Sequence, residues 1–370
     1  MPSADLSQRG AHTLTVCNSC RYCEQYCPVF PAIERRASFG GGDLAYLANL
    51  CHNCGECLYA CQYAPPHEFG IDVPRTLAEL RLASYEDFCW PLWLGQAFRR
   101  QGVLTALALM AGFSALLFAA TMWSRPAALA PRADAAFYAV MPHGVMVGLF
   151  GAVGGFVLLA MAIALNRFRR AIGGVGSPSA SPGAVLGAVK DAMTLRHLHT
   201  SGPDCVSAEE QRSPWRRWWH HATFGGFALC FASTSVAAAY HSFLGWQAPH
   251  AYGSVPVLLG TAGGLGLIVG PVGQWWQQRR RDPALADATQ RGMDQALMLL
   301  LWLTSATGLA LLVLRTTSLM APLLLIHLGA VLALFVTLPY GKFVHGLYRM
   351  MALVKNAAEV WQRRGGDRPD

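Results

Sequence analysis

The sequence predicts a mainly α-helical protein, in which a cysteine-rich helical domain is followed by a six-helix transmembrane bundle. Of the 370 residues, 53% are hydrophobic and only 14% are charged, which is typical of a chain that crosses a membrane several times. Eight of the 11 cysteines lie between residues 17 and 61. Residues 1–90 carry a formal charge of −4 and residues 91–370 a charge of +12, so the apolar part of the chain is also its basic part.

Two cysteine motifs of identical spacing, C-x2-C-x2-C-x3-C, occupy the cysteine-rich stretch. The first contains Cys17, Cys20, Cys23 and Cys27, and the second contains Cys51, Cys54, Cys57 and Cys61. With this spacing, three thiolates of one short loop bind three irons of a 4Fe-4S cubane, and the fourth thiolate binds the neighbouring cubane. We therefore predict two 4Fe-4S clusters, one bound by Cys17, Cys20, Cys23 and Cys61 and the other by Cys51, Cys54, Cys57 and Cys27.

Other uses of these cysteines fit the spacing less well. Structural zinc sites use cysteine pairs separated by a longer loop, and disulfide frameworks belong to small secreted domains. Pro28 follows Cys27 but Gln62 follows Cys61, and a helix-like run at 45–50 separates the two motifs. We therefore expect a helical, ferredoxin-like domain with two clusters. Thiolates that remain free for iron require a reducing compartment, so we place this domain in the cytoplasm.

The segments that flank the motifs have their own patterns. Residues 1–16 are polar, and we expect them to form a flexible or loosely docked arm. Leucines at helical spacing predict a short amphipathic helix over residues 76–85. Trp90, Trp93 and the basic pair 99–100 indicate an approach to the bilayer surface.

Six apolar segments follow, each close to the roughly 20 residues that a helix needs to cross a bilayer. They lie near residues 103–123, 142–165, 220–243, 254–276, 293–314 and 319–341. The predicted division of the chain is a two-cluster domain at 1–90, an interfacial segment with two spans at 91–165, a linker at 166–219, a four-helix bundle at 220–345 and a tail at 346–370. Closely spaced glycines at 260–270 predict tight helix packing within the bundle.

Positive charge marks every second connection between the spans. The connections that contain residues 99–100, 167–217, 279–281 and 342 onward are basic, whereas those at 124–141, 244–253 and 315–318 are charge-poor. Because basic loops remain on the cytoplasmic side, this alternation places both termini in the cytoplasm and the spans in the inner membrane. Basic residues do not interleave with aromatic ones as in nucleic-acid-binding modules, so we expect a lipid environment and no nucleic-acid partner.

Several histidines lie at or near the predicted spans, where ionisable residues are costly and usually functional. Neutral imidazole binds haem iron, and helix bundles can hold haem between facing helices. The candidate ligands of one or two haem b groups are His220, His221, His241, His327 and His345. An alternative role at this depth is contact with headgroups or loops, and this applies to His143 and to the unused member of the pair His220 and His221.

The depth of each histidine follows from the rise of a helix. His220 and His241 are separated by about 32 Å and His327 and His345 by about 27 Å, if each pair lies on one regular helix. His220 or His221 would then lie level with His345 near the inner surface, and His241 level with His327 near the outer surface. At about 100° per residue, His327 and His345 share one face, and His220 is favoured over His221.

Three stretches resemble the tricarballylate-utilisation protein B family, also called the citrate-utilisation B proteins. They are the paired cysteine motifs, residues 71–79 after them, and the stretch from 220–227 to 265–271 in the third and fourth predicted spans. The resemblance implies a membrane electron carrier that reoxidises the reduced flavin of an FAD-dependent tricarballylate dehydrogenase and passes electrons toward the quinone pool. Family relatives fused to the flavoprotein are associated with iron–sulfur centres and haem b. The spacing of His327 and His345 is also similar to the last haem helix of respiratory nitrate reductase gamma subunits, which suggests a bundle of cytochrome b type.

The resulting hypothesis is electron transfer from a partner's FADH2 through two 4Fe-4S clusters and haem b to quinone, with no catalytic residue in this chain. One alternative is a membrane iron–sulfur and cytochrome b subunit that serves a different flavin dehydrogenase or a heterodisulfide reductase-like complex. A second alternative is a redox-sensing or transport protein. The spans contain few fixed charges that could bind a tricarboxylate, which argues against transport.

Overall fold

Helices form nearly all of the regular structure. The computed structural model describes residues 3–130, 137–173, 181–197, 215–280 and 288–363, and within these ranges it contains helices and no strand. The α-helices are α1 Ala4–Cys20, α2 Val29–Glu34, α3 Gly41–Leu50, α4 Glu56–Tyr59, α5 Val73–Phe88, α6 Leu92–Ser124, α7 Phe137–Val140, α8 His143–Ile172, α9 Pro182–Met193, α10 Trp215–Leu244, α11 Val255–Arg280, α12 Ala288–Leu314, α13 Met320–Thr337 and α14 Val344–Arg363. Much of the predicted linker, residues 174–180 and 198–214, lies outside the described residues, as does the end of the predicted tail.

The N-terminal segment is a helix, and the expectation of a flexible arm was wrong. Ser3 caps α1, because its hydroxyl accepts a hydrogen bond from the Leu6 amide at 3.2 Å. Gly10, Thr13 and Leu14 form one buried face, and the Leu14 side chain is fully buried. This face packs on α5, which extends from Val73 to Phe88 and includes the amphipathic helix predicted at 76–85. α1 is therefore part of the core of the cysteine-rich domain.

The core of this domain is built around α3 and α5. Every residue of α3 from Leu44 to Leu50 is buried, and it contacts α1, α2, α5, α8 and α14. Such a helix, apolar on all sides, is stable only when other helices surround it. The cysteine motifs flank α3 in sequence, so both motifs are attached to the most buried helix of the domain.

Six helices in the described residues are long and apolar enough to cross a membrane, as predicted, and the chain is a multi-pass membrane protein. The first of these, α6, begins at Leu92, because the interfacial segment is helical too; non-helical backbone at Gln101 kinks it where the predicted span begins. The last, α13, ends at Thr337, earlier than the predicted residue 341. Pro339 lacks the amide hydrogen that would continue the helix, and the chain starts a new helix at Val344.

Close backbone contact joins α10 to α11 and fulfils the packing expected from the glycines. An added Cβ at Gly226 would lie 2.8 Å from the Gly263 carbonyl oxygen, and one at Gly263 would lie 2.8 Å from the Gly226 carbonyl oxygen. Side chains larger than hydrogen would separate the two helices at this crossing. Pro256, Gly264 and Gly270 are also buried along α11.

The last helix, α14, joins the membrane bundle to the cysteine-rich domain. Its residue Glu359 accepts hydrogen bonds from Arg35 Nε at 2.8 Å and Arg36 Nη2 at 2.7 Å. Asn356 accepts a further hydrogen bond from Arg35 at 2.5 Å. Because these contacts connect residues more than 300 positions apart, they fix α14 against the end of α2.

Candidate functional site

The eight motif cysteines surround two neighbouring cavities. The first cavity is lined by Cys17, Cys20, Cys23, Cys57 and Cys61, and the second by Cys27, Cys51, Cys54 and Cys57, so that Cys57 lies between the two. All eight thiols are free of disulfides. The structure therefore brings together the two sets that the motif predicts, each with its fourth cysteine from the other motif. The assignment of each cysteine to a cluster stays a prediction.

Local backbone conformation allows the second motif to curl around its cavity. Gly55, between Cys54 and Cys57, has a φ of 93°, which a glycine adopts without steric cost, and it precedes the short helix α4. In the first motif, Cys17 and Cys20 occupy the last turn of α1, and Arg21 ends that helix with a φ of 57°. The left-handed residues, Arg21 in the first motif and Asn53 and Gly55 in the second, turn the chain so that consecutive cysteines face one cavity.

The cysteine thiols are buried or half-buried and lie close to one another. Burial, followed by the charges of Cys61, Cys23 and Cys20, raises the pKa of Cys17 to about 12. Burial also raises the pKa of Cys27 well above its usual range, followed by the effect of Cys54 and Cys51. Four thiolates in one such place need a cationic centre to bind.

The thiols are arranged around cavities rather than around one point. Among the described residues, no three His, Cys, Asp or Glu side chains converge as ligands of a single ion. A tetrahedral zinc ion draws its ligands to within about 2.3 Å of one centre, whereas a four-iron cubane binds each thiolate at a different iron. The donor atoms are all sulfur and do not converge on one point. The cysteines therefore fit a cluster better than a single zinc ion.

Three arginines hold the backbone that carries Cys51. Arg81 of α5 and Arg349 of α14 each donate to the Cys51 carbonyl oxygen at 2.9 Å. Arg216, at the start of α10, donates to the Asn53 carbonyl oxygen at 3.2 Å. The second thiol set is thus anchored to two helices, α10 and α14, that belong to the membrane half of the chain. Sequence reasoning did not connect these arginines with the cysteine loop. Arg81 and Arg349 are single basic residues on helices, and Arg216, next to Arg217, was used only as part of a basic connection between spans.

His220 and His345 face each other at the end of the bundle that is next to the cysteine-rich domain. Their ring centroids are 6.1 Å apart and the rings are inclined by 75°. His345 Nδ1 donates to the Lys342 carbonyl oxygen at 2.5 Å, which leaves Nε2 available as a ligand atom. Burial, followed by the charges of Arg349 and Lys342, holds the pKa of His345 well below its usual range, so the imidazole is neutral. His220 Nδ1 is buried without a hydrogen-bond partner among the described residues.

His220 and His345 lie next to each other, as predicted. The prediction assumed that His345 continues the helix of the sixth span, and this assumption was wrong. His345 lies on α14 rather than on the sixth span, because α13 ends at Thr337. His220 is six residues into α10, and His221 beside it is half-buried. Which of them binds a haem stays a prediction.

The predicted outer pair is arranged differently. The His241 ring stacks on His143, with centroids 3.5 Å apart, and the Tyr138 hydroxyl lies 3.5 Å from His241 Nδ1. His327 instead contacts the Thr307 hydroxyl, 3.0 Å from its Nδ1. The structure therefore gives His241 a histidine partner other than the one that the depth calculation gave it.

Two arginines that bind the loop of the second thiol set each lie one helical turn from a histidine of the pair His220 and His345. Arg216 and His220 are four residues apart on α10, and Arg349 and His345 are four residues apart on α14, about 6 Å along either helix. Both arginines bind the backbone between Cys51 and Asn53. The two candidate cofactor sites are therefore neighbours.

Comparison with known proteins agrees with this arrangement. The family model for the Fer4-like domain of Citrate utilization protein B matches residues 10–87, and the model for Citrate utilization protein B matches residues 99–366. Citrate utilization protein B of Escherichia coli is 48% identical over 354 residues, which cover 95% of this chain and 92% of that protein. The chain belongs to the citrate utilization protein B family. No solved structure matches it.

Membership of this family gives the site its general role. A Fer4-like domain with clustered cysteines, joined to membrane helices, indicates iron–sulfur electron transfer at a membrane. The Fer4-like match and the cysteine cavities occupy the same part of the chain. The resemblance noted from the sequence is thereby confirmed at the level of the family.

Proposed function

We propose that this protein is a membrane electron carrier that reoxidises the reduced FAD of a partner tricarballylate dehydrogenase. Electrons pass through two 4Fe-4S clusters and haem b to the quinone pool. The observation that carries the proposal is the connection of the Cys51 loop to His345 through Arg349, one helical turn away. It joins the candidate cluster site to the candidate haem site through a single side chain.

In this proposal the chain supplies ligands and positions, and the cofactors supply one-electron chemistry. Cys17, Cys20, Cys23 and Cys61 hold one cluster, and Cys51, Cys54, Cys57 and Cys27 hold the other. The exposed Tyr22 lines the first cavity, whereas the second is lined by Cys51 and Asn53, whose carbonyl oxygens accept hydrogen bonds from Arg349 and Arg216. The first set is therefore suited to receive electrons from a partner protein, and the second to pass them into the bundle.

His220 and His345 would hold a haem b, which would supply one-electron chemistry when bound. The centroids of His220 and His345 are separated by 6.1 Å. The bond from His345 Nδ1 to the Lys342 carbonyl fixes the ring and the tautomer in the manner usual for a metal-bound histidine.

The outer histidines do not fit a second haem in the same way. The stacked rings of His241 and His143, 3.5 Å apart, leave no space for an iron between them. We therefore propose one haem b at the inner pair.

The alternation of basic and charge-poor connections supports an orientation in the inner membrane with both termini in the cytoplasm. The division at residues 1–90, 91–165, 166–219, 220–345 and 346–370 belongs to the same proposal. The cysteine-rich domain then meets a soluble flavoprotein on the reducing side of the membrane.

Variants of single ligands test the proposal. Full-length protein purified without oxygen should show two cluster signals by EPR, and Cys20→Ser and Cys54→Ser should each remove a different one. His220→Ala and His345→Ala should abolish the b-type band in a reduced-minus-oxidised spectrum, whereas the neighbouring His221→Ala should retain it. Normal reoxidation of the partner's flavin by the Cys20→Ser and Cys54→Ser proteins would disprove the route.

A further inference from the structure

The guanidinium groups of the buried Arg81 and the half-buried Arg349 converge on one atom beside the second thiol set. Arg81 Nη2 and Arg349 Nη2 both donate to the Cys51 carbonyl oxygen at 2.9 Å. Arg81 also donates to the Ala48 carbonyl oxygen at 2.7 Å, and its side chain is 2% exposed. Two like charges at this distance repel each other strongly when water is absent.

No carboxylate in the described part of the chain neutralises these two arginines. None of the ion pairs among the described residues includes Arg81 or Arg349. The nearby Asp294 is 2.8 Å from Lys342, which already balances its charge. Buried cations in proteins are normally paired with an anion or a metal-bound group.

The second cluster of the proposed function would supply negative charge beside these two arginines. A 4Fe-4S core with four thiolate ligands carries net negative charge, and one-electron reduction adds one more negative charge. Arg81 and Arg349 bind the residue that the motif assigns to this cluster, Cys51. The first cavity differs: its lining cation is Arg21, which is exposed to solvent and donates to the Asn18 carbonyl oxygen.

We propose that Arg81 and Arg349 are the counter-charges of the second cluster and hold its reduction potential above that of the first cluster. This inference rests on the proposed function, because it requires both clusters. Positive charge that is fixed close to the cluster stabilises the reduced form, which has accepted one electron from the partner's flavin, more than the oxidised form. Electrons therefore move preferentially from the surface-facing cluster to the one beside the bundle. The two arginines act as positioning and potential-setting residues and not as catalytic residues.

The test is an EPR-monitored redox titration of the full-length protein, purified without oxygen. Arg349→Gln should make reduction of the second cluster at least about tenfold less favourable, which is a 59 mV decrease in its midpoint potential. The first cluster should be unchanged. Arg349→Lys keeps the charge but not the fork geometry, and it should recover most of the lost potential. Arg75→Gln is the matched control, because Arg75 lies on the same helix as Arg81 but is 59% exposed, and it should shift neither cluster.

Each result decides the question. Equal potentials in the Arg349→Gln and wild-type proteins, with both clusters present, would overturn the inference and leave the proposed function intact. If wild-type protein contained no cluster, both would fail. If Arg349→Gln and Arg81→Gln lost the second cluster while the lysine variants kept it, the charge would be the essential property. Loss of the cluster in the lysine and glutamine variants alike would show that only the hydrogen bonds matter and would also overturn the inference.

Discussion

Replacement of Glu359 by glutamine should loosen α14 from the cysteine-rich domain. α14 carries both His345 and Arg349, so its docking sets the separation between the candidate haem and cluster sites. Glu359 is 14% exposed and accepts from the buried side chains of Arg35 and Arg36. Removal of one member of a buried ion pair costs about 3–5 kcal/mol.

The size of the effect follows from the partners that remain. Arg36 keeps a second carboxylate, Asp43, at 2.6 Å, and glutamine keeps one neutral acceptor oxygen. We therefore expect the substitution to cost about 3 kcal/mol, the low end of the range for a buried ion pair. This corresponds to roughly a hundredfold change in the equilibrium constant for local opening of α14. Glu79→Gln is the matched control, because Glu79 also contacts two arginines, Arg9 and Arg75, but both are largely exposed. Exposed pairs contribute about 0–1 kcal/mol.

Hydrogen exchange of the α14 amides measures this opening directly. We expect exchange to accelerate by about a hundredfold in the Glu359→Gln protein and to change little in the Glu79→Gln protein. Equal protection of α14 in the Glu359→Gln and wild-type proteins would refute the view that this ion pair docks the helix.

The same pair predicts the pH dependence of docking. Burial alone would raise the pKa of Glu359, but hydrogen bonds and charges from Arg36 and Arg35 outweigh it and lower the pKa below its usual value. Its stabilising contribution is therefore fully present above the ordinary carboxyl pKa of about 4.3 and is lost as the pH falls through the lower folded-state pKa. The protection factors of the α14 amides, calculated against the intrinsic exchange rate at each pH, should fall below about pH 4.3 in the wild-type protein and much less in Glu359→Gln. An unchanged acid response in the variant would assign it to other groups.

Two further variants test the packing of the membrane half. Gly226→Ala should destabilise the detergent-solubilised protein by about 1–3 kcal/mol and lower its Tm, because the new Cβ would lie 2.8 Å from the Gly263 carbonyl oxygen; Gly225→Ala, with open space around it, should be neutral. Lys342→Met should cost about 3–5 kcal/mol by leaving Asp294 buried without its partner at 2.8 Å, and the added change Asp294→Leu should restore much of the thermal stability. Equal melting of the two glycine variants, or no rescue by Asp294→Leu, would contradict these contacts.

Much of the architecture could be predicted from short local patterns of residues. The cysteine spacing predicted two thiol sets with exchanged fourth members, because the geometry of the ligand loop is encoded within a few residues. The six spans were predicted by length and hydropathy alone, and six apolar helices occupy them, although α13 ends at Thr337, before the predicted end of the sixth span. The end of the last span could also have been found, since Pro339 and Gly341 interrupt the apolar run that was assigned to it.

The rest depends on contacts that no local pattern encodes. Arg349 and Cys51 are 298 residues apart in the chain, and a single arginine on a helix is usually solvated, so its hydrogen bond to the cysteine loop could not be predicted. The depth calculation placed His241 level with His327 but could not identify the residue that contacts it, which is His143. α1 was mistaken for an arm because only Leu14 and two small residues, Gly10 and Thr13, form its buried face.

The central claim is that eight cysteines of this chain hold two 4Fe-4S clusters beside a membrane bundle. Measurement of iron and acid-labile sulfide in full-length protein purified without oxygen tests it most directly. We predict about eight sulfides per chain, and about eight irons besides the haem iron. Protein that contained zinc, or about four sulfides, after oxygen-free handling would contradict the claim.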